Sequence, residues 1–288
     1  MFTKALMILL TTTLLFTACS SRKKPTPKPP IIHTNSTVKH QALIMGVSDY
    51  AGSNNDLTGI NLDVSKMQGL FSSWGFEVQT LANSLQFASV MQNYAQNLTA
   101  DDVFILYYSG HGSHTPDTSH DELDGEDELI VLSDSDSNLF LLDDKVNLLL
   151  NQIKARKLII FDSCNSGTAN KRFIHKDMAS YQIKYLAAPQ NAADSSPQNK
   201  SIPNTNMQGN YLFFAACQDN EQSLASSSGS LFTNAFVNQV SLQESASQIH
   251  QKTLHILEDY FHPNLSSSNP NLKNSSLKSF LKVTSTNR

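Results

Sequence analysis

The sequence has few cysteines, little basic charge and no long apolar run, and each shortage excludes something. Three cysteines in 288 residues, Cys19, Cys164 and Cys217, are too few for a disulfide scaffold. Lys and Arg number 21 against 25 Asp and Glu, a net charge of −4 with no basic face to suit nucleic acid. The apolar run at 5–16 is too short to cross a bilayer comfortably. No internal repeat breaks the chain into a solenoid. The length suits one α/β domain of roughly 200–250 residues with extensions.

The first extension is N-terminal. Lys4 ahead of the 5–16 run reads as a secretory signal over 1–18. The small residues before Cys19 resemble a bacterial lipobox. That resemblance implies cleavage before Cys19, acylation of its thiol and amine, and a lipid-anchored protein of the bacterial envelope. By resemblance to lipoprotein sorting rules, Ser20 after the cysteine implies the outer membrane, facing the periplasm. An ordinary signal peptide with an incidental cysteine is the alternative. Residues 19–40 hold Pro25, Pro27, Pro29 and Pro30 among Arg22, Lys23 and Lys24 and read as an extended tether.

From residue 41 the pattern changes. ALIMGVS (42–48) reads as a buried strand, and apolar residues from Leu57 to Trp74 recur at helical spacing up to Gly75. A strand at 76–81, a helix at 84–98 and a strand at 102–108 follow. This β-α-β-α-β alternation predicts a parallel sheet with right-handed crossovers. An acidic loop at 121–137 with a small strand at 129–132, a helix at 142–153 and a strand at 157–161 come next. Residues 168–209 show little periodicity and read as a mobile, processing-type segment. Beyond it lie a strand at 211–216, helices at 231–242 and 249–261, and an edge strand at 280–283. The domain thus runs over 41–285, with a larger part 41–167 and a smaller part 210–285.

Two of the strands end in chemistry. DVFILYYSGHGSH (102–114) delivers His111, and LIIFDSCNSG (158–167) delivers Cys164, each past the carboxyl edge of a buried strand. A free thiol titrates near 8.5, so a neighbouring His is needed to take its proton before it attacks a carbonyl. Adjacent strands lie about 4.8 Å apart, which lets residues just past their ends meet. Gly110 and Gly112 allow a tight turn, and backbone N–H groups of Gly112 and Cys164 suit a developing oxyanion. Cys217 follows its own apolar strand and reads as a small core residue, with a Cys164–Cys217 disulfide as the alternative.

YYSGHG (107–112) and DSCNSG (162–167) resemble the histidine and cysteine boxes of caspase-like cysteine peptidases, the bacterial metacaspases above all. LTGINLDV (57–64), DELDGEDE (121–128), LLDDKV (141–146), YLFFAACQDNEQS (211–223) and GSLFTNAF (229–236) resemble further pieces in the same order. The resemblance implies a three-layer α/β sandwich, with a mostly parallel sheet of about six strands flanked by helices. It implies a cysteine endopeptidase with His111 as base and Cys164 as nucleophile. It also puts Asp162 and Asp63 on an acidic pocket beside Ser109, for an Arg or Lys side chain of a peptide or protein substrate. Paired carboxylates would favour Arg, and Lys171, Arg172, Lys176 and Lys184 would be self-cleavage points. Asp143 and Asp144 match two ligands of an activating calcium site, while Lys171 replaces a further acidic position and Asn165 a frequent histidine. No cofactor is needed for the chemistry, and a monomer is expected.

Three rival readings stand beside this one. A metal hydrolase would use His111, His114 and His120 with Asp121 or Asp124, at a loose spacing for zinc. A catalytically silent, peptide-binding lipoprotein would keep the scaffold with a closed site. A gingipain- or clostripain-like peptidase would keep the acidic pocket but fit the ordered boxes less well.

Overall fold

Alternating side chains decide the layers. The computed structural model describes residues 37–117, 125–164, 180–189, 207–218 and 221–284. Three strands, β1 (His40–Gly46), β2 (Glu77–Ala82) and β3 (Val103–Ser109), are joined by helices α1 (Ile60–Ser73) and α2 (Phe87–Asn97). Strand β3 is buried over its whole length. Ile105 and Tyr107 face one core with Met67 and Phe71 of α1; Phe104, Leu106 and Tyr108 face the other with Phe87 and Met91 of α2. A strand apolar on both faces is the mark of a sheet covered on both sides.

After β3 the chain makes a small antiparallel sheet of β4 (Gly112–Pro116), β5 (Glu126–Ser133) and β6 (Asn138–Leu142). Helix α3 (Asp143–Gln152) then leads into β7 (Arg156–Asp162). A two-residue strand, β8 (Gln182–Ile183), pairs with β10 (Leu224–Ala225), which follows β9 (Tyr211–Ala215). The chain closes with α4 (Leu231–Gln239), α5 (Ala246–Leu257), β11 (Asn264–Ser267), α6 (Pro270–Asn274) and α7 (Leu277–Phe280). The central sheet has six strands in the order β11-β9-β7-β3-β1-β2. All its pairs are parallel except β11 with β9.

Three expectations need correction. The stretch at 280–283 is no edge strand: Ser276 caps α7 by accepting from Ser279 N, and Leu277, Phe280 and Leu281 are buried in the core. The edge strand next to β9 is β11, whose sequence NLSS is too polar and short to announce itself. Gly112 opens strand β4 instead of sitting in a turn. Within the segment read as aperiodic, 182–183 is β-paired.

Candidate active site

Sheet register sets the site. Ser109 of β3 pairs with Asp162 of β7, so His111 and Cys164 each lie two residues past one registered pair. Alternation continues from the strands: Tyr107 and Ile160 face the core shared with α1 and α4, and so do Ser109 and Asp162. Asp63 stands in the first turn of α1, above the same face. Thus one face of two adjacent strand ends carries an acidic pocket, and the tips beyond it carry an imidazole and a thiol.

The imidazole is fixed by its backbone and its far nitrogen. Tyr50 Oη accepts from His111 N at 2.7 Å and donates to Val47 O, and the two rings meet with centroids 4.5 Å apart. Tyr108 Oη lies 2.7 Å from His111 O. Gly110 passes so close to these hydroxyls that a Cβ there would come within 2.6 Å of Tyr108 Oη and 2.7 Å of Tyr50 Oη. His111 Nε2 lies 2.7 Å from Asn55 O. A carbonyl only accepts, so Nε2 carries the proton and neutral His111 presents a bare Nδ1. Among the described residues, buried Nδ1 has no hydrogen-bond partner. Burial pushes the His111 pKa down from 6.5 to about 4. The Asn55 carbonyl opposes that shift; the Lys184 ammonium adds to it, while the Lys184 backbone and the Asp56 charge oppose it.

The thiol is held elsewhere. Cys164 Sγ lies 3.1 Å from Ser223 O and accepts from Ser223 N at 2.7 Å. Cys164 and Cys217 are both free, which disposes of the disulfide, and Cys217 is buried in the core. Contact with the Cys164 thiol first, and then burial, hold the Cys217 pKa well above its ordinary value.

The acidic pocket is filled, and the chain fills it with its own Lys184. The Lys184 and Asp162 side chains are both fully buried and make an ion pair of 2.9 Å. Lys184 Nζ also donates to Ser109 Oγ at 2.8 Å and Ser230 Oγ at 3.0 Å. An ammonium has three protons, and here each has an acceptor. Asp63 is reached through those same serines: Ser109 Oγ and Ser230 Oγ both donate to its Oδ2, and Ser230 N donates to Oδ1 at 2.8 Å. Asp162 is completed by Ser223 Oγ on Oδ1 and by Thr233 Oγ1 and N on Oδ2. Burial raises the Asp63 pKa; Lys184 holds it down and Asp162 adds to the rise. Gly229 must be glycine, since a Cβ there would sit 2.7 Å from Asp63 Oδ1 and its φ is +101°.

The backbone of Lys184 completes the picture. Its carbonyl accepts from Gly112 N at 2.9 Å and Cys164 N at 3.2 Å, the two N–H groups expected to face an oxyanion. Gly110 N instead donates to Asp162 O. Lys184 N donates to Ser223 O at 3.1 Å, and Leu186 N to Gly112 O at 3.0 Å. Residues 182–186 are therefore strung through the site as a strand is strung along a sheet edge.

The family-model comparison matches the caspase domain over residues 39–281. The chain belongs to the caspase-domain family. Among curated proteins, the caspase domain resembles metacaspase-1B of Aspergillus fumigatus, 32% identical over 153 residues, covering 46% of this chain and 36% of the relative. It is likewise 32% identical over 162 residues to metacaspase-1 of Cryptococcus neoformans, covering 49% of this chain and 35% of the relative. The chain spans about a third of the length of the curated relatives it matches. A solved structure from Geobacter sulfurreducens superposes with a TM-score of 0.65 at 25% identity, covering 83% of this chain and 97% of that one. Caspase-1 of Spodoptera frugiperda superposes with a TM-score of 0.54 at 13% identity, covering 80% and 86%, and shares the fold.

The remaining expected residues of the caspase domain divide. Asp143 and Asp144 head α3 and are suitable oxygen donors for a hard cation. Among the described residues, no group of three His, Cys, Asp or Glu is placed to hold a metal. Lys171, Arg172, Lys176, Asn165, His120, Asp121, Asp124 and Cys19 lie outside the described residues. His114, offered to a metal in the rival reading, instead lies 3.7 Å from Glu126 and stacks on Tyr185. Sequence reading missed Asn55, Ser223, Ser230 and Thr233, all polar residues in loops or a helix start whose partners lie far along the chain.

Proposed function

We propose that this protein is a cysteine endopeptidase that cleaves after a basic residue, lysine before arginine, and that its first substrate is its own Lys184–Tyr185 bond. The observation that carries the reading is Lys184: its ammonium in the Asp162 pocket and its carbonyl on the N–H groups of Gly112 and Cys164. A substrate residue would occupy those two places at once. Three acceptors set around one nitrogen suit an ammonium; a planar guanidinium with five donors would need the serines to part.

The chemistry follows from the groups in place. Cys164 Sγ rotates off Ser223, passes its proton to the bare Nδ1 of His111 and attacks the carbonyl carbon of residue 184. The carbonyl oxygen takes the electron pair and the negative charge against the two N–H groups that already hold it. Collapse breaks the C–N bond, and the imidazolium gives its proton to the departing amine of residue 185. Water then attacks the thioester with His111 as base, releasing a carboxylate and restoring the thiol. A cavity of about 240 Å³ at His111, lined also by Asn55, Asp56, Gln182 and Tyr185, gives that water a way in. Because His111 stays neutral down to about pH 4 while the site is filled, cleavage at Lys184 should persist well below pH 6.5.

The test is N-terminal sequencing of the full chain incubated alone. A new N-terminus at Tyr185, absent in Cys164→Ala and in His111→Ala, is expected. An intact chain that also leaves lysyl and arginyl peptides uncut would favour the silent, peptide-binding alternative, which draws support from the thiol resting on Ser223. Two further parts of the reading have their own checks. Calcium at Asp143 and Asp144 would make the cleavage rate respond to chelation. A lipid anchor at Cys19 would leave Cys19→Ala out of the membrane fraction.

A further inference from the structure

The seated segment offers contacts on both sides of Lys184, and they are unequal. Gln182, third before the Lys184–Tyr185 bond, uses both the oxygen and the nitrogen of its side-chain amide. Its Oε1 accepts from Thr58 N at 2.7 Å and Thr58 Oγ1 at 2.8 Å, and its Nε2 donates to Asp56 O at 2.9 Å. Two donors face the oxygen and one acceptor faces the nitrogen, a pattern that a carboxylate or an apolar side chain would leave unmet. Ile183, second before the bond, is 42% exposed and meets no such pattern. Tyr185, first after the bond, lies flat on His114, with ring centroids 5.4 Å apart and planes at 25°. Glu126 stands behind that imidazole at 3.7 Å.

The backbone fixes which positions these are. Antiparallel pairing of Leu224 with Ile183 and Ala225 with Gln182 sets the upstream register. The parallel bridge of Gly112 with Tyr185 sets the downstream one. A foreign peptide using the same ladders would bring the same three side-chain positions to Thr58, to the acidic pocket and to His114.

From these contacts we infer that the site reads an extended sequence: glutamine third before the cleaved bond, lysine first before it, and an aromatic residue first after it, with the intervening position unread. Thr58 and Asp56 are the specificity-determining residues upstream and His114 the one downstream. This rests on the proposed endopeptidase activity and names the substrate class of that same site: peptides and unfolded segments of the form Gln-X-Lys-aromatic.

The experiment uses the full chain after its own cleavage and internally quenched peptides carrying Tyr-Gln-Ile-Lys-Tyr-Leu. Replacing the Gln by Ala or Glu, or the Tyr after Lys by Ala, should each lower kcat/KM about tenfold, the scale of one well-made polar or aromatic contact. Replacing the Ile by Ala should change it less than about twofold. In the enzyme, Thr58→Val should narrow the Gln-over-Ala ratio, and His114→Ala the Tyr-over-Ala ratio, each leaving the other ratio as it was. The substitutions Gln182→Ala and Tyr185→Ala in the chain should each slow the appearance of the new N-terminus, and Ile183→Ala should not. Equal cleavage of all lysyl peptides would overturn the extended reading while leaving the endopeptidase intact. No cleavage of any peptide, with the chain also uncut, would overturn both.

Discussion

Among the described residues two lysines are buried, Lys157 and Lys184, and their surroundings differ in kind. Lys184 has a carboxylate at 2.9 Å and two hydroxyls, so its charge is met. Lys157 has only carbonyls: its Nζ donates to Ile153 O at 2.8 Å and reaches Ala155 O at 3.4 Å, at the C-terminal end of α3. Burial alone pushes the Lys157 pKa down to about 8. A cation at a helix C-terminus is favoured by the helix dipole, but less than by a full counter-charge. Lys157 reads as a structural clamp tying the end of α3 to the start of β7. Lys184 reaches from a separate segment to groups on β3, β7, α1 and the start of α4, and so reads as an occupant.

The comparison can be broken most sharply at Asp162. Asp162→Asn removes the carboxylate in contact with the buried ammonium and leaves Asp63, reached only through Ser109 and Ser230, as its nearest counter-charge, a loss of about 2–5 kcal/mol for such a pair. Cleavage after Lys should fall by at least about thirtyfold in kcat/KM. Amide exchange over 181–189 should quicken, because the segment loses its anchor. Unchanged exchange there would mean the backbone ladders alone hold the segment.

The other lysine is tested by pH. Its folded pKa lies below its unfolded value, so between about 8 and 10.5 the unfolded chain binds the extra proton and stability rises with pH. The gain is on the order of 3 kcal/mol at most, since one unit is about 1.4 kcal/mol. A denaturant titration series from pH 7.5 to 10.5 should show this rise in the parent and a flatter curve in Lys157→Met. A matching slope in both would assign the titration to other groups.

The smallest effect sharpens the account of the pocket. Ser230→Ala removes one of the three acceptors of the ammonium and one of the donors to Asp63, at a cost of about 1 kcal/mol. Lysyl cleavage should drop about fivefold, and arginyl cleavage should drop less or rise as the chamber widens. An equal loss for both would argue that Ser230 serves the fold around Asp63.

What could be read in the sequence follows physical scale. Strands β1, β3 and β7 are continuous apolar runs, and buried parallel strands can hardly look otherwise. The helices showed because Met67, Phe71 and Trp74 recur at one helical spacing. Strand ends follow from strands, so the apolar runs alone put His111, Cys164, Ser109 and Asp162 at one edge. Polar strands were harder: β4 is GSHTP and β11 is NLSS, and both owe their pairing to neighbours. The pocket walls were illegible for the same reason, since Ser230 and Thr233 are ordinary helix-start residues until Asp63 and Asp162 arrive. Lys184 was picked out for its charge, but its seat was not foreseen. The alternation Tyr181-Gln182-Ile183-Lys184-Tyr185-Leu186 was the available signal, a short strand within an aperiodic stretch.

The β7–β9 ladder has a consequence of its own. Lys157 pairs with Tyr211 and Phe161 with Ala215, so neighbouring strands of the central sheet come from opposite sides of the Lys184–Tyr185 bond. Breaking that bond would sever the connection but not the sheet, since β11 and β9 stay hydrogen-bonded to the rest through β7. What changes is molecularity. A monomeric intact chain would unfold as one molecule, at a midpoint indifferent to its concentration; the cut form would unfold into two, and dilution alone would then lower its melting temperature.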